Sequence, residues 1–153
     1  MNIFVTVGHT RFNSLFKMIA SFNRPDWQFI SQISDGDVFP AAGESFAYTD
    51  CIHDFYRQAD VVITHAGAGS VFTLLEMGKP TIVVANTDRV DAHQNDLLDY
   101  VERSHFAQVC RDLNSLEYLL ENSASFKANE YINEAFSAAD AISNELGLLT
   151  RSI

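Results

Sequence analysis

Apolar positions along the chain follow two rhythms that take turns. Short β-branched and aromatic runs, Ile3 to Val7, Trp27 to Ile33, Val61 to Thr64 and Thr81 to Ala85, read as buried strands. Between them apolar residues recur at helical spacing: Phe12, Leu15, Phe16 and Ile19, then Ile52, Phe55 and Tyr56, then Val71, Leu74, Leu75 and Met77, then Leu97, Leu98, Tyr100 and Val101. Weaker patterns predict a strand over Ser45 to Tyr48, another over Phe106 to Val109 and a helix over Leu113 to Leu120. A longer helical stretch over Phe126 to Leu149 carries Ile132, Phe136, Ala139, Ile142 and Leu146 on one face. That face is a docking surface for a partner or packs on its own domain.

Punctuation agrees with this parsing. Pro25 breaks the first helix from the second strand, and Gly36, Pro40 and Gly43 mark a loop from Ser34 to Glu44. Thr10 and Asp50 are expected as helix N-caps, and Gly78 as the C′ residue of the central helix. Strands alternating with helices imply a single α/β, Rossmann-like domain over residues 1–153, with a mainly parallel sheet, helices on both faces and right-handed crossovers.

In such a sheet ligands gather beyond the carboxyl ends of the strands. The loops Gly8 to Thr10, His65 to Ser70 and Asn86 to Gln94 all belong to that edge. Gly67, Ala68, Gly69 and Ser70 join a strand to a helix, whose first N–H groups lack intrahelical acceptors and attract an anion, phosphate above all. Gly67 and Gly69 can adopt φ > 0 and admit a ligand to the backbone, while Ser70 can cap the helix or donate its hydroxyl. The alternative is a turn whose glycines only permit tight packing. Gly8, His9 and Thr10 are expected to form a second anion-facing helix start. His65 faces the cleft or is a packed residue bonded to backbone, and His53 reads as a surface or satisfied residue rather than a ligand.

Charge narrows the partners. Lys and Arg total 10 against 20 Asp and Glu, a formal net charge of -10, which disfavours nucleic acid and anionic lipid, so any phosphate site is built locally. The 2 cysteines, Cys51 and Cys110, lie far apart without metal-site spacing and point to a reducing, cytoplasmic setting. No apolar run is long enough for a membrane span. An NAD-binding domain fits poorly, since no GxGxxG follows the first strand.

The opening Ile3-Phe4-Val5-Thr6-Val7-Gly8-His9-Thr10-Arg11-Phe12, the run Ala59 to Ser70, Gly78-Lys79-Pro80 and Asp91-Ala92-His93-Gln94 together resemble the donor-binding half of family 28 glycosyltransferases of the GT-B type. More closely they are similar to its small split subunits: the catalytic subunit of the dolichol-pathway N-acetylglucosamine transferase and the PssE-like exopolysaccharide subunits. The likeness covers roughly residues 1 to 110. It implies a UDP-sugar with its diphosphate at Gly67 to Ser70, the sugar near His93 and Gln94, Gly8 and Thr10 on the cleft floor, His65 and Asn86 alongside, and the ribose near Thr73 and Glu76. Users of UDP-N-acetylglucosamine commonly carry a ribose-binding Glu where this chain has Thr73, which tips the likeness toward the exopolysaccharide subunits.

The resemblance further implies an inverting transferase that needs no cofactor and no metal ion. It implies a catalytic base and acceptor site on a membrane-anchored partner that brings a lipid-linked acceptor. The rival reading is a non-catalytic nucleotide-sugar sensor.

Overall fold

The computed structural model describes residues 1–40, 43–89 and 92–133. In chain order these form β1 (Asn2–Thr6), α1 (Asn13–Ala20), β2 (Gln28–Gln32), β3 (Glu44–Phe46), α2 (Ile52–Gln58), β4 (Val61–His65), α3 (Ala68–Glu76), β5 (Thr81–Val84), α4 (Ala92–Arg103), β6 (Gln108–Cys110) and α5 (Leu116–Glu121). The 6 strands make one sheet in the order β3-β2-β1-β4-β5-β6, and every pairing is parallel. The order reverses between β1 and β4, so the loops leaving those two strands diverge and open a crevice at the carboxyl edge.

The inner strands β1, β2, β4 and β5 are buried on both faces, which is why they read as continuous apolar runs rather than alternating ones. Ile3, Val5, Phe29, Ile63 and Val84 turn toward α1 and α5, where they meet Phe12, Leu15, Phe16, Leu116 and Leu120. On the other face Phe4 and Val62 pack with Tyr56 of α2 and Leu74 of α3. There Phe4 stacks on Phe55 with ring centroids 5.1 Å apart. Val83 packs with Val71 and Leu75 of α3 and with Leu98 and Val101 of α4.

Gly78 ends α3 as expected. With φ at +61° it turns the chain left-handed, so its N–H reaches the Leu75 carbonyl at 3.0 Å and the Lys79 N–H reaches that of Leu74 at 3.0 Å.

Local expectations at several helix and strand ends are corrected. Helix α1 starts at Asn13 after Phe12, so Thr10 is not its cap; its N–H instead closes a turn on the Val7 carbonyl at 2.9 Å. Cys51 rather than Asp50 precedes α2, and no side chain caps that helix. The strands expected over Ser45 to Tyr48 and Phe106 to Val109 are β3 and β6, shifted because strand limits follow the pairing with β2 and β5 rather than local composition. Residues 126–133 run without helix, since Phe126 packs on His105 and Tyr131 on Phe72 and Phe106. The remainder of the expected helix to Leu149 lies outside the described residues. Cys51 is exposed and Cys110 buried, both as free thiols.

Candidate functional site

Two helices begin at the carboxyl edge beside the crevice, and the chain treats them differently. At the start of α1 the Asp88 carboxylate accepts from the Ser14 N–H at 3.0 Å and from the Ser14 hydroxyl. A negative group of the protein therefore already occupies the positive end of that helix. This corrects the expectation of a second open anion site at Gly8 to Thr10.

Helix α3 has no such partner among the described residues. Its cap residue is Gly67, which has no side chain to offer, and the first intrahelical bond runs from the Val71 N–H to the Gly67 carbonyl at 3.0 Å. The N–H groups of Ala68, Gly69 and Ser70 therefore precede the hydrogen-bonded ladder and keep the dipole's positive end open. Ser70 is the third residue of the helix rather than its cap, and its hydroxyl stands by the buried Tyr56 phenol, whose pKa burial pushes up.

The α3 start opens into a cleft of about 300 Å³. Thr10 comes to it from the β1 loop, His65 to Ala68 from the end of β4, and Asn86 and Arg89 from the β5 loop. His93, Gln94 and Leu97 of α4 complete its described lining, which contains no carboxylate.

The two glycines of the central loop have different reasons to be glycine. A Cβ on Gly67 would stand 2.4 Å from His65 Nε2, far inside contact distance, so Gly67 makes room for the imidazole. Gly8, held at φ +56°, packs the same ring, and its Cβ would lie 3.2 Å from His65 Cε1. A Cβ on Gly69 would meet nothing within 4 Å. The expected φ > 0 is absent from both Gly67 and Gly69, whose backbones are extended and helical respectively. Packing thus explains Gly67 and Gly8. Gly69 costs the helix stability for no packing reason within the described residues.

His65 is half-buried, and its Nδ1 has no well-formed hydrogen bond. Burial lowers its pKa, the nearby Thr6 carbonyl opposes that, and the positive charge of Arg89 adds to the lowering. The ring is therefore neutral at pH 7, a hydrogen-bonding group rather than a cation.

Asn86 and Gln94 turn out to hold the loop. Gln94 Oε1 accepts from the Asn86 N–H at 2.8 Å while its Nε2 donates to the Asn86 carbonyl at 3.2 Å. The Asn86 side chain donates to the Arg11 carbonyl at 3.1 Å and accepts from the Asp88 N–H at 3.0 Å. Gln94, expected near the sugar as both donor and acceptor, keeps one N–H and one lone pair for a ligand.

Glu76 is not brought to the cleft. It ends α3, about 12 Å along the axis from Ala68, and accepts from Asn133 Nδ2 at 2.6 Å. Its neighbours Met77 to Thr81 and Phe106 to Gln108 line a separate hollow at the opposite edge of the sheet. Thr73, half-buried in mid-helix, is also outside the described cleft lining. Sequence reasoning missed Arg89. The available signal was that it is the one lysine or arginine between Asn86 and Asn95 in an acidic chain.

A fully parallel sheet in this strand order is the Rossmann-like architecture shared with the C-terminal half of GT-B glycosyltransferases. The chain belongs to the glycosyltransferase family 28 C-terminal domain family, which it matches over residues 2–145. It is 36% identical over 125 residues to the UDP-N-acetylglucosamine transferase subunit ALG13 of Homo sapiens, covering 71% of this chain and 11% of that protein. In fold it is similar to MurG of Acinetobacter baumannii, with a TM-score of 0.67 at 18% identity over 94% of this chain and 52% of that one. It is likewise similar to the solution structure of ALG13, with a TM-score of 0.58 at 20% identity over 92% of this chain and 94% of that one. The chain therefore spans about half of MurG and a small part of the human relative. No helix among the described residues is long and apolar enough to cross a membrane.

Proposed function

We propose that this chain is the donor-binding subunit of an inverting glycosyltransferase that moves a hexose or N-acetylhexosamine from UDP to a lipid-linked acceptor in polysaccharide or glycolipid biosynthesis. The observation that carries the reading is the uncapped N-terminus of α3 in a cleft with no carboxylate in its described lining, while the neighbouring helix start is filled by Asp88. Membership of a glycosyltransferase family and the ALG13 relative support it.

In this reading the Ala68, Gly69 and Ser70 N–H groups take the diphosphate. They need no reorganisation when negative charge grows on the leaving UDP as the bond from the anomeric carbon to the β-phosphate oxygen breaks. Gly69 lets those oxygens approach the backbone. His65 and Thr10 contribute uncharged hydrogen bonds, and His93 with the spare groups of Gln94 faces the sugar. The acceptor oxygen attacks the opposite side of the anomeric carbon, giving inversion, and its proton goes to a base on the acceptor side. We assign that base, with the acceptor site, to a membrane-anchored partner subunit that recruits this chain to the membrane. Metal ions are not required.

The deciding experiment is calorimetry of the chain against UDP and a panel of UDP-sugars, with and without EDTA, followed by transfer assays with a lipid-linked acceptor and the partner. Micromolar binding that survives EDTA, with turnover only when the partner is added, is the expected result. Binding without turnover under those conditions would favour a sensor.

A further inference from the structure

We propose that Arg89 is a further donor-binding residue, a guanidinium that clamps the diphosphate from across the cleft, opposite the open start of α3. The assignment rests on the donor-binding reading above and adds to it the one permanent positive charge in the described lining of the cleft.

The first ground is how the arginines are employed. In a chain with 20 acidic residues a guanidinium readily finds a carboxylate. Arg11 pairs with Asp37, Arg24 with Asp26 and Glu121, Arg57 with Asp54, and Arg111 with Asp99 and Glu102. Arg103 donates to the Asp99 carbonyl at 3.1 Å. Among the described residues Arg89 has neither an ion pair nor a hydrogen bond, and it is the arginine that lines the cleft.

The second ground is the loop that carries it. Gln94 grips both backbone groups of Asn86, the Asn86 side chain is tied to Arg11, and the Asp88 carboxylate is bound to Ser14. The residues just before Arg89 are thus fastened to α4, to the β1 loop and to α1, while its own head group is left to solvent and cleft. A charged group held ready on a pinned backbone loses little freedom when it meets an anion.

The third ground is chemical. Neutral His65 cannot offset phosphate charge, and the chain's net charge of -10 repels an incoming diphosphate. Arginine stays charged at any physiological pH, and its planar fork presents paired donors that fit two oxygens of a phosphate. Backbone dipoles on one side and the guanidinium on the other then enclose the diphosphate.

The test is the affinity of the 153-residue chain for UDP and UMP, by calorimetry at low and high salt, in the wild type, R89A and R89K. R89A is expected to weaken UDP binding by roughly ten- to a hundredfold, to weaken UMP less, and to flatten the salt dependence. R89K should fall between. Arg89 holds no other described residue, so the melting temperature of R89A should match the wild type. If R89A does melt lower, R89K, which keeps stem and charge but loses the fork, carries the comparison. UDP affinity unchanged in either variant overturns the assignment while leaving the donor reading standing. A wild-type chain that takes up no UDP overturns the donor reading and this assignment with it.

Discussion

His65 Nε2 occupies the space beside Gly67 so closely that a Cβ there would stand 2.4 Å away. The imidazole and the missing side chain are one feature. The contact fixes where β4 ends and how α3 departs, and so where the open N–H groups point.

It follows that Gly67→Ala forces the ring to shift. We expect a loss of stability of about 1–3 kcal/mol, much of it relieved when His65 is also replaced by Ala, because the two sites share a single contact. A double-mutant cycle by urea denaturation checks this; additive costs would mean the contact is not the cause.

Gly69 should behave in the opposite way. Its Cβ would meet nothing within 4 Å, so Gly69→Ala is expected to stabilise the ligand-free protein by about 0.5–1 kcal/mol. In the proposed reading the same methyl lies where a diphosphate oxygen approaches the backbone, so UDP affinity is expected to fall. Thermal melts with and without UDP measure both signs on one sample.

The Asp88 carboxylate caps α1 from across the fold. Replacing it with Ala should cost about 0.5–2 kcal/mol and loosen the β5 loop. Asn at the same position should recover much of the capping but not the charge. Hydrogen exchange at the Ser14 amide is the local readout.

The buried imidazole also sets a pH dependence. Its folded pKa lies below the ordinary 6.5, so between those two values the unfolded chain binds more protons than the folded one. The His65 contribution to stability is complete above pH 6.5 and declines as pH falls through the window beneath it. Unfolding measured from pH 8 down to pH 5 in the wild type and in His65→Gln should therefore differ most in slope below the ordinary histidine range; parallel curves would exclude His65 as the source.

Hydrophobic order along the chain was enough to define the alternation of strands and helices, the parallel sheet and the edge at which a ligand would gather. Those properties depend on neighbours a few residues apart: β-branched runs form strands buried on both faces, Gly78 closes α3, and the run from Val61 to Ser70 forms a strand, a turn and a helix start whatever lies elsewhere.

Tertiary contacts decided which of those features is open to a ligand. Both α1 and α3 begin beside the crevice, but Asp88 reaches back across 74 positions to fill one of them. Asn86 and Gln94 look like ligand groups in sequence and are largely consumed in holding their loop, while Glu76 is carried away because α3 points from the cleft toward the opposite edge. Arg89 stands out most clearly once the other described arginines are seen to be engaged. Periodicity records the local backbone. Whether a polar group is already satisfied depends on which distant segment the fold brings against it.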